Sequence, residues 1–283
     1  MDKNPLVSIC IPTYNGESYI AEAIKSVINQ DYKNIEVVIS DDHSSDQTIP
    51  IATQLLKKSQ IKFKVISHQP QGIGENWNNA IRHSNGEYIK LLFQDDLLSS
   101  QCISKMILGF NKGDQIGMVF CARHIISLDD QKNADWLSKY KTLHDKWSFN
   151  LKNGAVSGKK LLGCPKLFDS PINKIGEPPA TLIKRECFDK IGYFSNHLVQ
   201  ALDVEYWWRV MSKYDLVFID EPLISFRLHE AQQSSKNLKR KIKDFELLPF
   251  ILFSRYFWKL HNKLKLKILR DMLAIKKNKL FPK

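Results

Sequence analysis

Between residues 6 and 121 the chain alternates short apolar runs with stretches in which apolar residues recur every three or four positions. Leu6–Ile11 (LVSICI) is apolar and β-branched and stops at Pro12, which reads as a buried strand. Ser18–Asn29 sets Ile20, Ala23, Ile24, Val27 and Ile28 along one helical stripe. The alternation continues with a strand over Ile35–Ser40, a helix from Ser45 or Asp46 to Lys58, and a strand over Ile61–Ser67. A helix over Asn76–His83, a strand over Tyr88–Phe93, a helix over Ser100–Phe110 and a strand at Met118–Cys121 complete it. Alternation at this pitch predicts βαβ units around a parallel sheet. In such sheets ligands bind beyond the carboxyl ends of the strands.

The pattern then loosens. Ser127–Ile175 is rich in Asp, Lys, Ser and Asn, with Trp136 and Trp147 embedded, and reads as an insertion or loop layer over a site. A helix is expected over Leu202–Lys213 and a strand over Leu216–Ile219. Gly72-Ile73-Gly74-Glu75-Asn76 lacks the lysine of a phosphate loop and the third glycine of a dinucleotide fingerprint, so it reads as a turn into a helix. Trp77 and Asn78 then face either the ligand side or the core.

Charge divides the chain in two. Of 42 Lys and Arg, 15 lie from Lys236 to Lys283, against three of the 30 acids, Asp244, Glu246 and Asp271. The tail alone accounts for the net +12, and residues 1–235 balance to zero. Nucleic-acid binding by the whole protein explains such a distribution poorly. The tail mixes its cations with Leu, Ile, Phe, Tyr256 and Trp258. Leu264, Ile268, Leu269, Leu273 and Ile275 are spaced approximately as one helix face. Two readings stand: an amphipathic segment on an anionic membrane, or helices packed on the body or on a second subunit. Cys10, Cys102, Cys121, Cys164 and Cys187 form no CxxC pair and are odd in number, which fits a reducing compartment better than a disulfide framework. No apolar h-region opens the chain at Met1–Pro5, and no apolar run approaches the roughly 18 residues a bilayer span needs. The expectation is a cytoplasmic protein, possible also at the inner face of the plasma membrane.

Three polar clusters fall at strand ends: Pro12-Thr13-Tyr14-Asn15, Asp41-Asp42-His43-Ser44-Ser45 and Gln94-Asp95-Asp96. The strand-end rule sets all three on one rim. Carboxylates so crowded repel one another unless a cation intervenes, and hard dications take carboxylate oxygens together with substrate phosphates. Mg²⁺ or Mn²⁺ bridging a diphosphate suits the arrangement. A cap for the following helix is the alternative role of Asp95-Asp96.

VSICIPTYNG (Val7–Gly16), VVISDDHSSDQT (Val37–Thr48) and GEYIKLLFQDD (Gly86–Asp96) resemble, in order and spacing, the family 2 glycosyltransferases of the GT-A fold. The resemblance covers residues 5 to 230. It implies an α/β domain with a Rossmann-like, mostly parallel central sheet flanked by helices, occupying residues 1–235, with 127–175 on the acceptor side and 236–283 a basic helical tail. It further implies inverting sugar transfer from a nucleoside diphosphate sugar, a UDP-sugar by analogy, to a saccharide or lipid-linked acceptor, in surface polysaccharide or glycolipid assembly. By the same resemblance Pro12, Thr13 and Tyr14 line the base and ribose pocket, with Tyr14 either stacking on the base or packing in the core. Asp42 bonds the base or ribose. The family's metal motif is Asp-x-Asp, and here Gln94 fills its first slot. Asp95 then contacts ribose or metal-bound water, and Asp96 is the principal protein ligand. Asp203 falls on the position of the general base in a Glu-Asp-x-x-x-Trp helix start whose first acid is Leu202; Glu205 is the alternative, and a helix cap is the structural one. In Arg227-Leu228-His229 the Arg or His reaches the diphosphate or the metal. Pro178-Pro179-Ala180-Thr181 resembles the loop beneath the acceptor, or is a rigid connection. Two other functions stay open: a nucleotidyltransferase, against which Pro12–Glu17 offers no basic residue, and a catalytically degenerate nucleotide-sugar-binding protein, to which the loss of acids at Gln94 and Leu202 points.

Overall fold

A computed structural model of the chain describes residues 4–127, 129–229, 232, 237 and 242–280, with side chains to Lys277 in the last helix. Met1–Lys3 and the expected start of the tail at Lys236 lie outside the described residues. Nine strands form one sheet: β1 (Val7–Thr13), β2 (Ile35–Asp41), β3 (Lys62–Ser67), β4 (Tyr88–Leu91), β5 (Leu97–Leu98), β6 (Ile116–Ser127), β7 (Gly154–Val156), β8 (Thr181–Lys184) and β9 (Asp215–Leu228). Their order is β3-β2-β1-β4-β8-β6-β9-β5, with β7 also on β9. β1 to β4 are mutually parallel, as are β6 and β9, while β8, β5 and β7 run against their neighbours. The sheet is therefore mixed and mostly parallel.

The helices of the first half are α1 (Ile20–Ile28), α2 (Thr48–Lys57), α3 (Ile73–Arg82) and α4 (Cys102–Gly109), and each follows the strand that the sequence pattern gives it. α3 starts three residues before the expected Asn76. Gly72, at φ 100°, turns the chain into it, a conformation that L side chains rarely adopt. β6 and β9 are far longer than expected, at 12 and 14 residues, and pair side by side through register shifts near Cys121 and Ala122.

Alternation along the buried strands feeds two cores. Ile9 and Ile11 of β1 face α1, α2 and α4, among Ile20, Val27, Leu56 and Met106. Cys10 faces the other layer, with Trp77, Phe120, Trp207 and Trp208. The 127–175 stretch contains α5 (Ala134–Tyr140) and α6 (Gly158–Leu162) besides β7. It also buries Trp147, Leu151, Leu161 and Leu162 in that second core. α7 (Arg185–Ile191) and α8 (Leu202–Lys213) complete the body.

The C-terminal segment forms α9 (Asp244–Tyr256) and α10 (Asn262–Leu280). Leu248, Leu252, Tyr256, Leu260, Leu264 and Ile268 are buried in the same core as Trp207 and Trp208, so these helices are part of the body. The expected single stripe splits: Leu264 and Ile268 face inward, whereas Leu269 and Leu273 are exposed. No helix among the described residues is long and apolar enough to cross a membrane.

Candidate active site

β1, β2 and β4 are parallel neighbours, so their C-terminal ends share one edge. The two aspartates after β2 have different work. Asp41 is spent on the turn: its carboxylate accepts from Thr13 Oγ1 at 2.7 Å, Ser44 Oγ at 2.5 Å and Ser44 N–H at 2.8 Å. The Asp42 carboxylate takes no part in that turn, and its Oδ1 has no hydrogen-bond partner among the described residues. Its N–H donates to Thr13 O at 2.9 Å, and Oδ1 lies 3.5 Å from His68 Nδ1. Burial pushes the Asp42 carboxyl up from its ordinary range, while His68 pulls it back. Asn76, on the first turns of α3, donates to Thr13 O at 3.2 Å and approaches His68 Nε2 at 3.4 Å. Trp77 and Asn78 turn to the core side, Trp77 against Phe93 and Phe194, and Asn78 onto the Phe194 backbone.

The end of β1 is held in place from β4. Gln94 accepts from Tyr14 N–H at 2.9 Å and donates to Tyr14 O at 3.1 Å. Pro12 and Thr13 are buried, and the Tyr14 ring stands half exposed beside them. Asn15 and His43 both have positive φ, 46° and 60°, and the Asn15 side chain accepts from Ser45 N–H at 2.9 Å, which ties the two rim turns together.

After Asp96 the chain enters β5, which pairs antiparallel with β9, Leu97 opposite Ser225. That pairing brings Arg227 against the aspartates. Arg227 N–H donates to Asp96 Oδ1 at 3.0 Å and its Nε to Asp95 O at 3.0 Å. Its guanidinium reaches Glu22 at 2.8 Å and lies 4.8 Å from the Tyr19 ring. His229 Nε2 is 2.8 Å from Asp95 Oδ2. Asp96 is fully buried, and its Oδ2 has no hydrogen-bond partner among the described residues. Burial first, and Asp95 second, hold its carboxyl well above the usual range. No three His, Cys, Asp or Glu among the described residues cluster as a ready-made metal site. Among the described residues, Asp96 Oδ2 is an oxygen left open beside Asp95 and His229, and a cation held there would need its other ligands from phosphate and water.

Asp203, at the start of α8, is 9% exposed. Its carboxylate accepts from Asn173 Nδ2 at 2.8 Å and from Val204 N–H at 2.7 Å. Burial, and then the charge of Glu177, push its pKa up to about 7. Glu177 also raises Asp96, so the three acids share one poorly solvated region. Glu177 pairs with Arg123, whose other amine donates to Tyr140 O at 2.5 Å. Glu205 is closed to substrate: it is 3% exposed, with one oxygen on Arg209 and the other on Arg255. Pro178–Ala180 forms a buried single turn whose Pro179 carbonyl takes the buried Lys90 ammonium at 2.5 Å.

Sequence reading missed His68, Asn76, Asn173, Glu177, Arg123, Tyr19 and Glu22. Asn76 carried a signal, because a helix with three asparagines in four residues spends propensity on something other than packing. Glu177 carried another, as an acid set against a rigid Pro-Pro-Ala. The remainder come together only through long-range pairing.

The mixed α/β sheet, with acids after β2 and β4 beside the polar end of β1, is the architecture of the GT-A glycosyltransferases. The model of the glycosyl transferase family 2 matches residues 8–167, more than half of the chain, and the chain belongs to that family. It is 30% identical over 246 residues to an uncharacterised glycosyltransferase of Rickettsia typhi, covering 87% of this chain and 70% of that one. A GalNAc(5)-diNAcBac-PP-undecaprenol beta-1,3-glucosyltransferase of Campylobacter jejuni is 36% identical over 110 residues, 38% of this chain and 36% of its own. S. aureus TarS residues 1–349 in complex with UDP-GlcNAc superposes with a TM-score of 0.69 at 17% identity, over 99% of this chain and 76% of that one. The mannosyltransferase PcManGT of Pyrobaculum calidifontis, in complex with GDP-Man and Mn²⁺, superposes with a TM-score of 0.61 at 17% identity, over 98% and 76%. These two share the fold.

A Cβ on Gly16 would collide with the Gln94 side-chain amide. Gly16→Ala is therefore expected to cost about 1–3 kcal/mol by urea unfolding. Most of that cost should vanish when Gly16→Ala is made in a Gln94→Ala background, giving a coupling of about 1 kcal/mol or more in the double-mutant cycle. Strictly additive costs would contradict the Tyr14–Gln94 clamp.

Proposed function

We propose that the chain transfers a sugar, with inversion, from a UDP-sugar to a saccharide or lipid-linked acceptor, in assembly of a surface polysaccharide or glycolipid. The observation that carries this reading is the buried, unpartnered oxygen of Asp96 on the same sheet edge as Asp42. An ionised carboxylate at Asp42 accepts from a base N–H, such as the imide N–H of uracil. Guanine, cytosine and adenine also present N–H donors, so the choice of UDP rests on the resemblance, and the other nucleoside diphosphates are the competing outcomes. Thr13, Pro12 and the Tyr14 ring bound the base and ribose, and Asp95 adjoins the ribose side. Asp96, with His229 beside it, would hold Mg²⁺ or Mn²⁺. Such an ion supplies charge neutralisation for the departing diphosphate. The UDP-GlcNAc of TarS and the GDP-Man and Mn²⁺ of PcManGT support a nucleotide-sugar donor and a metal.

Asp203 takes the proton of the acceptor hydroxyl as its oxygen attacks the anomeric carbon and the nucleoside diphosphate leaves from the opposite face. A single displacement of this kind inverts the configuration. Asn173 fixes the carboxylate from one side, and burial next to Glu177 sets its basicity near neutrality, where a general base works best. The two replaced acids leave this machinery intact, since Gln94 braces Tyr14 and Leu202 is buried against α3.

The C-terminal helices support a membrane-facing role. Beside their buried face they expose Phe245, Phe253, Leu266, Leu273 and Trp258, the last at 87%. Lys265 lies over both the Phe257 and Trp258 rings. Exposed aromatics among lysines suit the headgroup layer of an anionic bilayer.

Three measurements test these readings. In a thermal-shift screen, UDP at about 100 times its Kd should raise Tm by roughly 5 °C, with a further rise on adding Mn²⁺. Asp42→Ala should abolish the nucleotide shift, and Asp96→Ala only the Mn²⁺ increment. No shift with any nucleoside diphosphate would overturn the assignment. For the base, Asp203 must be ionised, so with its pKa near 7 the rate should rise through pH 7 and fall away below it. Asp203→Asn should lose about 100- to 10,000-fold in kcat while still binding UDP; full activity in that variant would instead favour a different base. Finally, Trp258→Ala combined with Lys265→Ala should weaken binding to vesicles containing anionic lipid by about tenfold. Parent-like binding, or none in the parent, retires the membrane role.

A further inference from the structure

Ala201 stands at the N-cap of α8 and makes no side-chain cap hydrogen bond; within the first turn Asp203 accepts from the Val204 N–H. The backbone amides just ahead of it are nonetheless all satisfied by one atom. Oδ2 of Asp244 accepts from the N–H groups of Val199 at 2.8 Å, Gln200 at 2.7 Å and Ala201 at 2.9 Å. Asp244 opens α9 and is 3% exposed. Consecutive amides converging on a single oxygen form an anion nest, here filled by a side chain from the far end of the chain.

The turn so closed stands between two parts of the site. Two residues on is Asp203. On the other side, Phe194 and Asn196 are tied to α3 through Asn78, at 2.8–3.1 Å. α3 also carries Asn76, which holds the Thr13 carbonyl at the end of β1. α9 braces α8 a second time, where Arg255 donates to Glu205 Oε1 at 2.8 Å. The two braces bracket Asp203 in sequence.

We propose that Asp244 is a positioning residue, which fixes the Val199–Ala201 turn so that α8 presents the Asp203 carboxylate to the acceptor, and that the basic C-terminal segment is thereby part of the transferase's working structure. This rests on the reading of Asp203 as the base. Without Asp244 three adjacent amides face a buried gap, and the first turn of α8 must shift or open to reach water. A shift of that kind affects the chemical step while leaving the nucleotide pocket on β1 and β2 in place.

The test uses the full chain with Asp244→Ala and Asp244→Asn, since asparagine keeps an acceptor oxygen. In Asp244→Ala, amide hydrogen exchange at residues 199–201 should speed up by about tenfold or more, and asparagine should restore most of the protection. UDP release is followed with UDP-glucose, UDP-GlcNAc or GDP-mannose plus Mn²⁺, whichever the parent turns over. There kcat should fall about 10- to 100-fold in Asp244→Ala with the donor KM held within about threefold, and recover in Asp244→Asn. Unchanged exchange at 199–201, a parent-level kcat, or a loss of kcat that asparagine fails to recover would each overturn the proposal. Should Asp244→Ala fail to fold, Asp244→Glu keeps the charge but displaces the turn by one methylene; it should show the same lowered kcat at constant KM, and a parent-level kcat in it would overturn the proposal. Asp203→Asn run alongside separates the two ideas. If that variant keeps its kcat, the base assignment fails, while the exchange data still report on the turn.

Discussion

Burying Asp96 beside Asp95 costs free energy that the chain's own cations do not fully offset. Two like charges 4 Å apart repel by roughly 4 kcal/mol at an effective dielectric of 20, and Glu177 and Asp203 stand in the same poorly solvated region. The two arginines nearby are largely committed. Arg123 goes to Glu177, and the Arg227 side chain goes to Glu22 and the Asp95 carbonyl, so only its backbone N–H reaches Asp96. Burial, and then Asp95, raise the Asp96 carboxyl above its ordinary range. On the proposed function, a dication with its diphosphate would relieve the repulsion. Much of the surrounding architecture serves to keep these acids close. The two-residue β5 anchors the aspartate turn to β9, and the long β6–β9 pair supplies both Arg123 and Arg227.

The same economy accounts for the departure from Asp-x-Asp. Gln94 both accepts from the Tyr14 N–H and donates to the Tyr14 carbonyl. An ionised aspartate only accepts and is one methylene shorter, so it could not bridge both groups. Glutamine removes one negative charge from a crowded rim and uses its amide to fix the end of β1. A cation proposed at this site would meet one direct carboxylate and would draw the rest of its shell from the donor phosphates and water. Asp41 and Asp42 divide along similar lines. The first is consumed by three hydrogen bonds of the turn, and the second stays out of it, beside His68.

How far sequence could reach followed from the range of the interactions. Strands β1 to β4 and helices α1 to α4 came out within about three residues because local periodicity dictates them. The acids at the strand ends came with them, through the topology of parallel sheets. β5 and β7 were illegible, since two or three residues have no period, and the extension of β6 and β9 depends on their pairing with each other. The role of Glu205 was undecidable from its spacing alone, because what closes it is Arg255, fifty residues away. The tail pattern misled in an instructive way. Leu264, Ile268, Leu269 and Leu273 fit one helical stripe, but a helix between a protein core and solvent can bury half of such a stripe and expose the rest.

That division makes the C-terminal segment answer to two constraints at once. Its inner face fills the core beneath Trp207 and Trp208, and Asp244, one of its three acids, closes the entrance to α8. Its outer face carries the excess of lysine together with exposed aromatic rings. A detachable membrane anchor would need no buried carboxylate in the catalytic body, and a purely structural brace would not leave Trp258 in solvent. Through Asp244 of α9 the same segment is tied to the turn that precedes Asp203. By its packing the basic segment is part of the body rather than a separate tail.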